Sequence, residues 1–176
     1  MSRLTVYHLS TPDIPNKVLT HFEDIAATLA EQGIAFTHWN AAGSFKPGTP
    51  GEHLLEAYRG ELEGVMNEAG YAVVEPLSVD MQPDGDGRQP AQFREEAHSY
   101  LIASGRVLLN LWIGDYVYAV VCEKHDQLSV PAKVVHWCDL GERPFLAALR
   151  LCKTEQGRIA HTADENVAER FPRLED

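Results

Sequence analysis

The stretch from Ile113 to Cys138, IGDYVYAVVCEKHDQLSVPAKVVHWC, leaves this chain little choice of architecture. Two runs, Tyr116 to Cys122 and Gln127 to Val130, are rich in Val, Leu and Tyr, the residues that suit a pleated, half-buried surface. Gly114-Asp115 precedes the first run and Glu123-Lys124-His125-Asp126 separates the two, both with the composition of tight turns. Pro131-Ala132 ends the second run, and Val134 to Cys138 begins a third with His136 set among apolar residues. Strand, turn, strand and a histidine at a strand start is how a small β-barrel places a residue in its mouth.

The rest of the chain supports that reading. Further strands are expected at Ser99–Ser104, Val107–Trp112 and Ala147–Lys153. Earlier, Leu4 to His8 and Ile34 to Trp39 read as strands, with a turn at Thr11 to Pro15. His21 to Gln32 reads as a helix, with apolar positions at helical spacing and Gly33 after it. Ala41 to Glu52 is a Gly/Pro loop and His53 to Gly70 a second helix. Tyr71 to Val79 leads into a Pro, Gly and Asp loop, Asp80 to Pro90, and the chain ends in a short helix within Ala163 to Asp176. The expected fold is mainly β, of α+β type: one domain over 1–176. An α/β N-terminal extension and loop fill 1–90, a barrel core 91–162, and a C-terminal helix and tail 163–176.

The net charge of −11 argues against nucleic acid and acidic membrane surfaces as partners. No apolar run approaches the roughly 18 residues of a membrane span, and MSRLTVYHLS has no signal-peptide core. The reading is a cytoplasmic protein, a monomer or weak homodimer, acting on a small molecule. The three cysteines, Cys122, Cys138 and Cys152, contain no CxxC and read as thiols.

Gly114-Asp115, Cys122-Glu123-Lys124, Asp126, Ser129-Val130-Pro131-Ala132, His136-Trp137, Asp139-x-Gly141, Arg150 and Phe171-Pro172-Arg173-Leu174 carry a specific resemblance over nearly the whole chain. The chain resembles the acireductone dioxygenase family of the cupin fold. The resemblance implies a cupin-type double-stranded β-helix, or jelly-roll barrel. It also implies one divalent transition metal, iron first and nickel, copper or zinc after it. In the family three His and one Glu hold iron or nickel, in a His-x-His-x-x-x-Glu block and a downstream His-Trp pair. Counting back without a gap from Gly114-Asp115, the block falls on Gln92 to His98. Gln92 and Arg94 stand at its two His positions and His98 at its Glu. His136 alone is unchanged. The family's substrate-pairing Arg falls on Tyr100.

This replacement changes the chemistry expected of the site. Arg94 has no lone pair and stays cationic. Gln92 offers at most a carbonyl oxygen. The expected metal donors are therefore His98, His136 and Gln92, with Cys138 and Cys152 as further candidates because His136 and Cys138 share a strand face. Arg94, His98 and Tyr100 are the candidates for catalysis. Leu101, Cys138, Arg150, Cys152 and Arg158 are expected to line the substrate pocket. Small core fillers remain the commoner role for buried cysteines. Glu95 and Glu96 become ligands only if the register slips by one residue, which inverts the strand faces. His21, His38, His53, His125 and His161 read as surface or loop residues.

Three functions stay open. One is a divergent oxygenase- or lyase-type enzyme acting on a small enol, thiol or amino-acid-derived compound. The second is the family's own cleavage of the acireductone of methionine salvage. The third is a metal-free cupin that binds a small molecule or works as an acid–base cyclase or isomerase, with no cofactor.

Overall fold

The computed structural model describes residues 1–43, 45–80, 87–164 and 166–175. The loop expected over Asp80 to Pro90 lies mostly outside them. Eleven strands and three α-helices follow in order among the described residues. Strands β1 (Arg3–His8), β2 (Pro15–Leu19) and β3 (Phe36–His38) surround helix α1 (Phe22–Ala30). Helices α2 (Gly51–Ala57) and α3 (Arg59–Ala69) precede β4 (Val73–Asp80). Then come β5 (Gln92–Phe93), β6 (His98–Ile113), β7 (Tyr116–Glu123), β8 (Asp126–Val130), β9 (Val135–Asp139), β10 (Phe145–Cys152) and β11 (His161–Thr162).

Every named strand pairing is antiparallel, and β6 is the hub. Its first half pairs with β8 on one side and β10 on the other; its second half pairs with β7 and β9. Between them sits Gly105, at φ +78°. The two strands expected over Ser99–Ser104 and Val107–Trp112 are thus one strand that turns a barrel corner. A glycine takes that corner because a left-handed backbone costs it little.

The N-terminal strands join the same sheets: β1 pairs with β7, β3 with β8 and β4 with β10. Strand β2 lies along β1 at an edge, with its residues largely exposed, and was read only as the end of a turn. The helix expected over His53 to Gly70 is two, broken at Tyr58, whose backbone (φ −107°, ψ 14°) leaves the helical region. The last helical segment is a short 3-10 turn, Val167–Arg170.

Three apolar clusters follow from the alternation of side chains along the strands. Tyr100, Ile102, Leu109, Leu111, Val120, Leu128 and Cys138 fill the barrel interior, closed by Ile25 and Leu29 of α1. Leu108, Val117, Val121 and Trp137 face outward on one sheet, under Val167, Ala168 and Phe171 of the tail. Leu101, Ala103, Leu149 and Leu151 face outward on the other, under Leu54 and Leu62 of α2 and α3. No helix among the described residues is long and apolar enough to cross a membrane.

Candidate functional site

The site is built where β4, β10, β6 and β9 present their inward positions. Direct cross-strand partners share a face. Glu75 of β4 pairs with Arg150 of β10, and Arg150 pairs with Tyr100 of β6. One step along, Cys152 pairs with His98. On the other sheet Gln92 pairs with His136, and Cys138 follows two residues later on the same face. Trp137, between them, points the opposite way into the cluster under the tail.

The two imidazoles meet, with ring centroids 4.9 Å apart. Each is 1% exposed. His136 donates Nδ1–H to the Val134 carbonyl at 2.8 Å, the donor role fixed because a carbonyl only accepts. Its Nε2 therefore carries a lone pair, and that atom has no hydrogen-bond partner. Neither ring nitrogen of His98 makes a well-formed hydrogen bond, although the Glu96 backbone lies near enough to favour its protonated form. Burial, with the charges of Arg94 and Arg150 nearby, lowers the pKa of His136 to about 4 and that of His98 to about 2. Both rings are neutral at physiological pH. Burial raises the Tyr100 hydroxyl, which stays protonated.

A cationic cluster adjoins the rings. Arg94 is 3% exposed and its Nη1 donates to the Gly157 carbonyl at 2.9 Å, while its Nε has no partner. Arg150 grips Glu75 through Nε at 3.3 Å and Nη2 at 2.8 Å. Arg94 and Arg158 approach the same carboxylate at 3.8 and 3.7 Å. Burial raises the Glu75 pKa, but Arg150, Arg94 and Arg158 outweigh it and hold the carboxyl below its usual value. Three guanidiniums thus share one carboxylate. Next to them lies a cavity of about 60 Å³, lined by Tyr100, Cys138, Arg150, Leu77, Ile102 and Leu146 among others.

Of the residues expected at the site, Tyr100, Cys138 and Arg150 line the cavity; His98, His136, Gln92, Arg94 and Cys152 adjoin one another outside its lining. Arg158 reaches only its rim, with its side chain half exposed. Leu101 is a correction: it lies in the cluster under α2 and α3, because a strand that turns Tyr100 inward turns Leu101 outward. Cys138 and Cys152 do not offer thiolates. Burial raises both pKa values; Cys138 Sγ lies 3.8 Å from the Tyr100 hydroxyl, and Cys152 Sγ 3.7 Å from both Glu75 and Gly157. Glu96 is held at the surface by Thr154. His38 stacks on Phe22 and His161 on Phe93, away from the site. Glu75 escaped the sequence reading, although a lone carboxylate at an alternating position of Val73-Val74-Glu75-Pro76-Leu77 was a signal for it.

The donor set does not match the metal centre that the resemblance implies. Among the described residues, no three His, Cys, Asp or Glu side chains are placed to hold a metal ion. Two imidazoles are available, and a divalent ion between them would lie close to the Arg94 guanidinium.

No family model matches the chain. A protein of Pseudomonas fluorescens (strain Pf0-1) named acireductone dioxygenase is 47% identical over the whole of both chains. One of Pseudomonas syringae pv. syringae with the same name is also 47% identical, again over both full lengths. Among solved structures, an acireductone dioxygenase from Bacillus anthracis with a cadmium ion in its active centre superposes with a TM-score of 0.74. It covers 92% of this chain and 98% of its own at 17% identity, a likeness of fold.

Proposed function

We infer the function from one premise: this chain belongs to the acireductone dioxygenase family, a family of cupin-fold oxidoreductases. We propose that it oxidises, with dioxygen as the electron acceptor, a small enol or enediolate held in the barrel mouth, with a site rebuilt for a different member of that substrate class. The observation that carries the reading is the convergence of unpartnered, buried groups, Arg94 Nε, both nitrogens of His98 and His136 Nε2, beside the Tyr100–Arg150 cavity.

In this reading Arg94 and Arg150 orient the oxyanion. His136 Nε2 accepts a hydrogen bond from the remaining enol hydroxyl, and neutral His98 donates one N–H to the ligand. Leu77, Ile102 and Leu146 exclude water and seat an apolar substituent. A divalent metal is the cofactor that the family supports, and His98 and His136 are the imidazoles that would meet it. With two imidazoles, a glutamine and a buried cation, the chain supplies fewer donors than such a centre needs.

The test is oxygen uptake and product analysis with acireductone and with simpler enediols, under chelator and after addition of Fe2+ or Ni2+. Enzyme-dependent oxidation of an enediol that Arg94→Gln abolishes is the expected result. Absence of turnover on every enediol would end the reading. Turnover of acireductone itself as the preferred substrate would establish the second reading, the family's own reaction, which the full-length identity of 47% favours.

A further inference from the structure

The groups left without partners identify the ligand the site is shaped for. Seven buried side-chain nitrogen and oxygen atoms among the described residues have no hydrogen-bond partner, and four of them are Arg94 Nε, His98 Nδ1, His98 Nε2 and His136 Nε2. Isolated atoms of this kind are costly; four at one place mean that something binds there.

A metal ion satisfies only part of this set. It takes lone pairs from the imidazoles, but Arg94 Nε–H has none to give. It would also add two positive charges beside Arg94 and Arg150, which share the carboxylate of Glu75, while the more exposed Arg158 divides itself between Glu75 and Glu155. An oxyanion with a neighbouring hydroxyl satisfies three of the four, leaving only the second His98 nitrogen. It accepts from Arg94 Nε–H and from the N–H of His98, and it offsets the surplus positive charge. A hydroxyl on the adjacent carbon donates to His136 Nε2, whose tautomer is set by Val134.

We propose that Arg94 takes the place of the metal in this chain: its guanidinium, with His98 and His136, forms a metal-independent cradle for a small oxyanion of the enediolate or α-oxy-carboxylate class. The proposal rests on the substrate class inferred above and adds that binding needs no metal. Glu75 has a positioning role. Its grip on Arg150 holds one guanidinium at the cavity wall, and its approach to Arg94 holds the other beside it.

The experiment is calorimetric titration of the full chain with oxalate, with chelator present throughout and again after loading with Ni2+ or Zn2+. Saturable binding under chelator is expected, together with less than one equivalent of either metal retained on dialysis. Arg94→Gln is expected to weaken oxalate at least about tenfold, the loss of a charge-assisted donor pair. Arg94→Lys keeps the charge without the fixed Nε–H, folds where the glutamine variant does not, and weakens binding by about threefold to tenfold. Binding of oxalate only after metal loading, retention of one equivalent of metal, or an unchanged Kd in a folded Arg94 variant would each overturn the proposal. Metal-dependent binding alongside enediol turnover leaves the family reaction standing without this cradle. Metal-free binding without turnover of any enediol leaves the cradle standing and ends the functional reading.

Discussion

At Glu75 one carboxylate restrains two guanidiniums, buried Arg94 and partly buried Arg150, so its removal is felt well beyond one hydrogen bond. Glu75→Gln leaves Arg150 and Arg94 without a counter-charge. Glu75 and Arg150 are only partly buried, so the loss, measured by urea unfolding at neutral pH, is expected to fall below about 3–5 kcal/mol, the cost of breaking a fully buried pair from one side. The effect has a pH signature. The neighbouring guanidiniums hold the folded-state carboxyl below its ordinary range. Its contribution is complete above the unfolded value and is lost as pH falls through the folded one. Stability curves of wild type and variant converge in acid and separate above pH 5. The ligand positions support a second prediction. Gln92→His, Arg94→His and His98→Glu together rebuild the His-x-His-x-x-x-Glu block on strands that already place residue 92 opposite His136. This triple variant is expected to retain one equivalent of Ni2+ by elemental analysis where wild type retains less. Alternation made His136, Cys138 and Tyr100 legible in the sequence. The same rule, applied one residue further, would have turned Leu101 outward. Glu75 was not legible as a partner because its guanidiniums lie 19, 75 and 83 residues away, by subtraction along the chain.

At the scale of elements, β6 decides the architecture because it belongs to both sheets. Its corner depends on Gly105. A Cβ there would come within 1.9 Å of the Phe145 carbonyl oxygen, and φ +78° is a backbone that L side chains rarely adopt. The left-handed conformation alone costs about 1–2 kcal/mol, and the clash with backbone adds to it. Gly105→Ala is therefore expected to lose more than about 2 kcal/mol in urea unfolding. Ser104-Gly105-Arg106 reads as a break between two strands, since glycine in a strand pattern marks either an end or a bend. Only the continued pairing with β10 up to Gly105 and with β7 from Arg106 onward distinguishes the two. Strand β2 was illegible for a different reason. Its residues are nearly all exposed, so it has no inward face to impress a period of two on the sequence.

The whole molecule separates its charges. The chain is strongly acidic, at −11, yet the barrel mouth concentrates three arginines on one carboxylate. The barrel class was visible from strand spacing. The attachment of the N-terminal strands was not, because β1 finds its partner β7 more than a hundred residues later. The far end of the chain is tied in the same non-local way. Buried Asp139, the last residue of β9, accepts Arg173 Nε at 3.0 Å and Nη2 at 2.9 Å, and Gly141 N donates to it as well. A chain growing from a ribosome can pair β6 with β7 and pack its barrel while this aspartate still waits for its guanidinium. The strand bearing His136 is held along its length by β6 from the start, and gains this second fastening at its far end only once residue 173 has emerged.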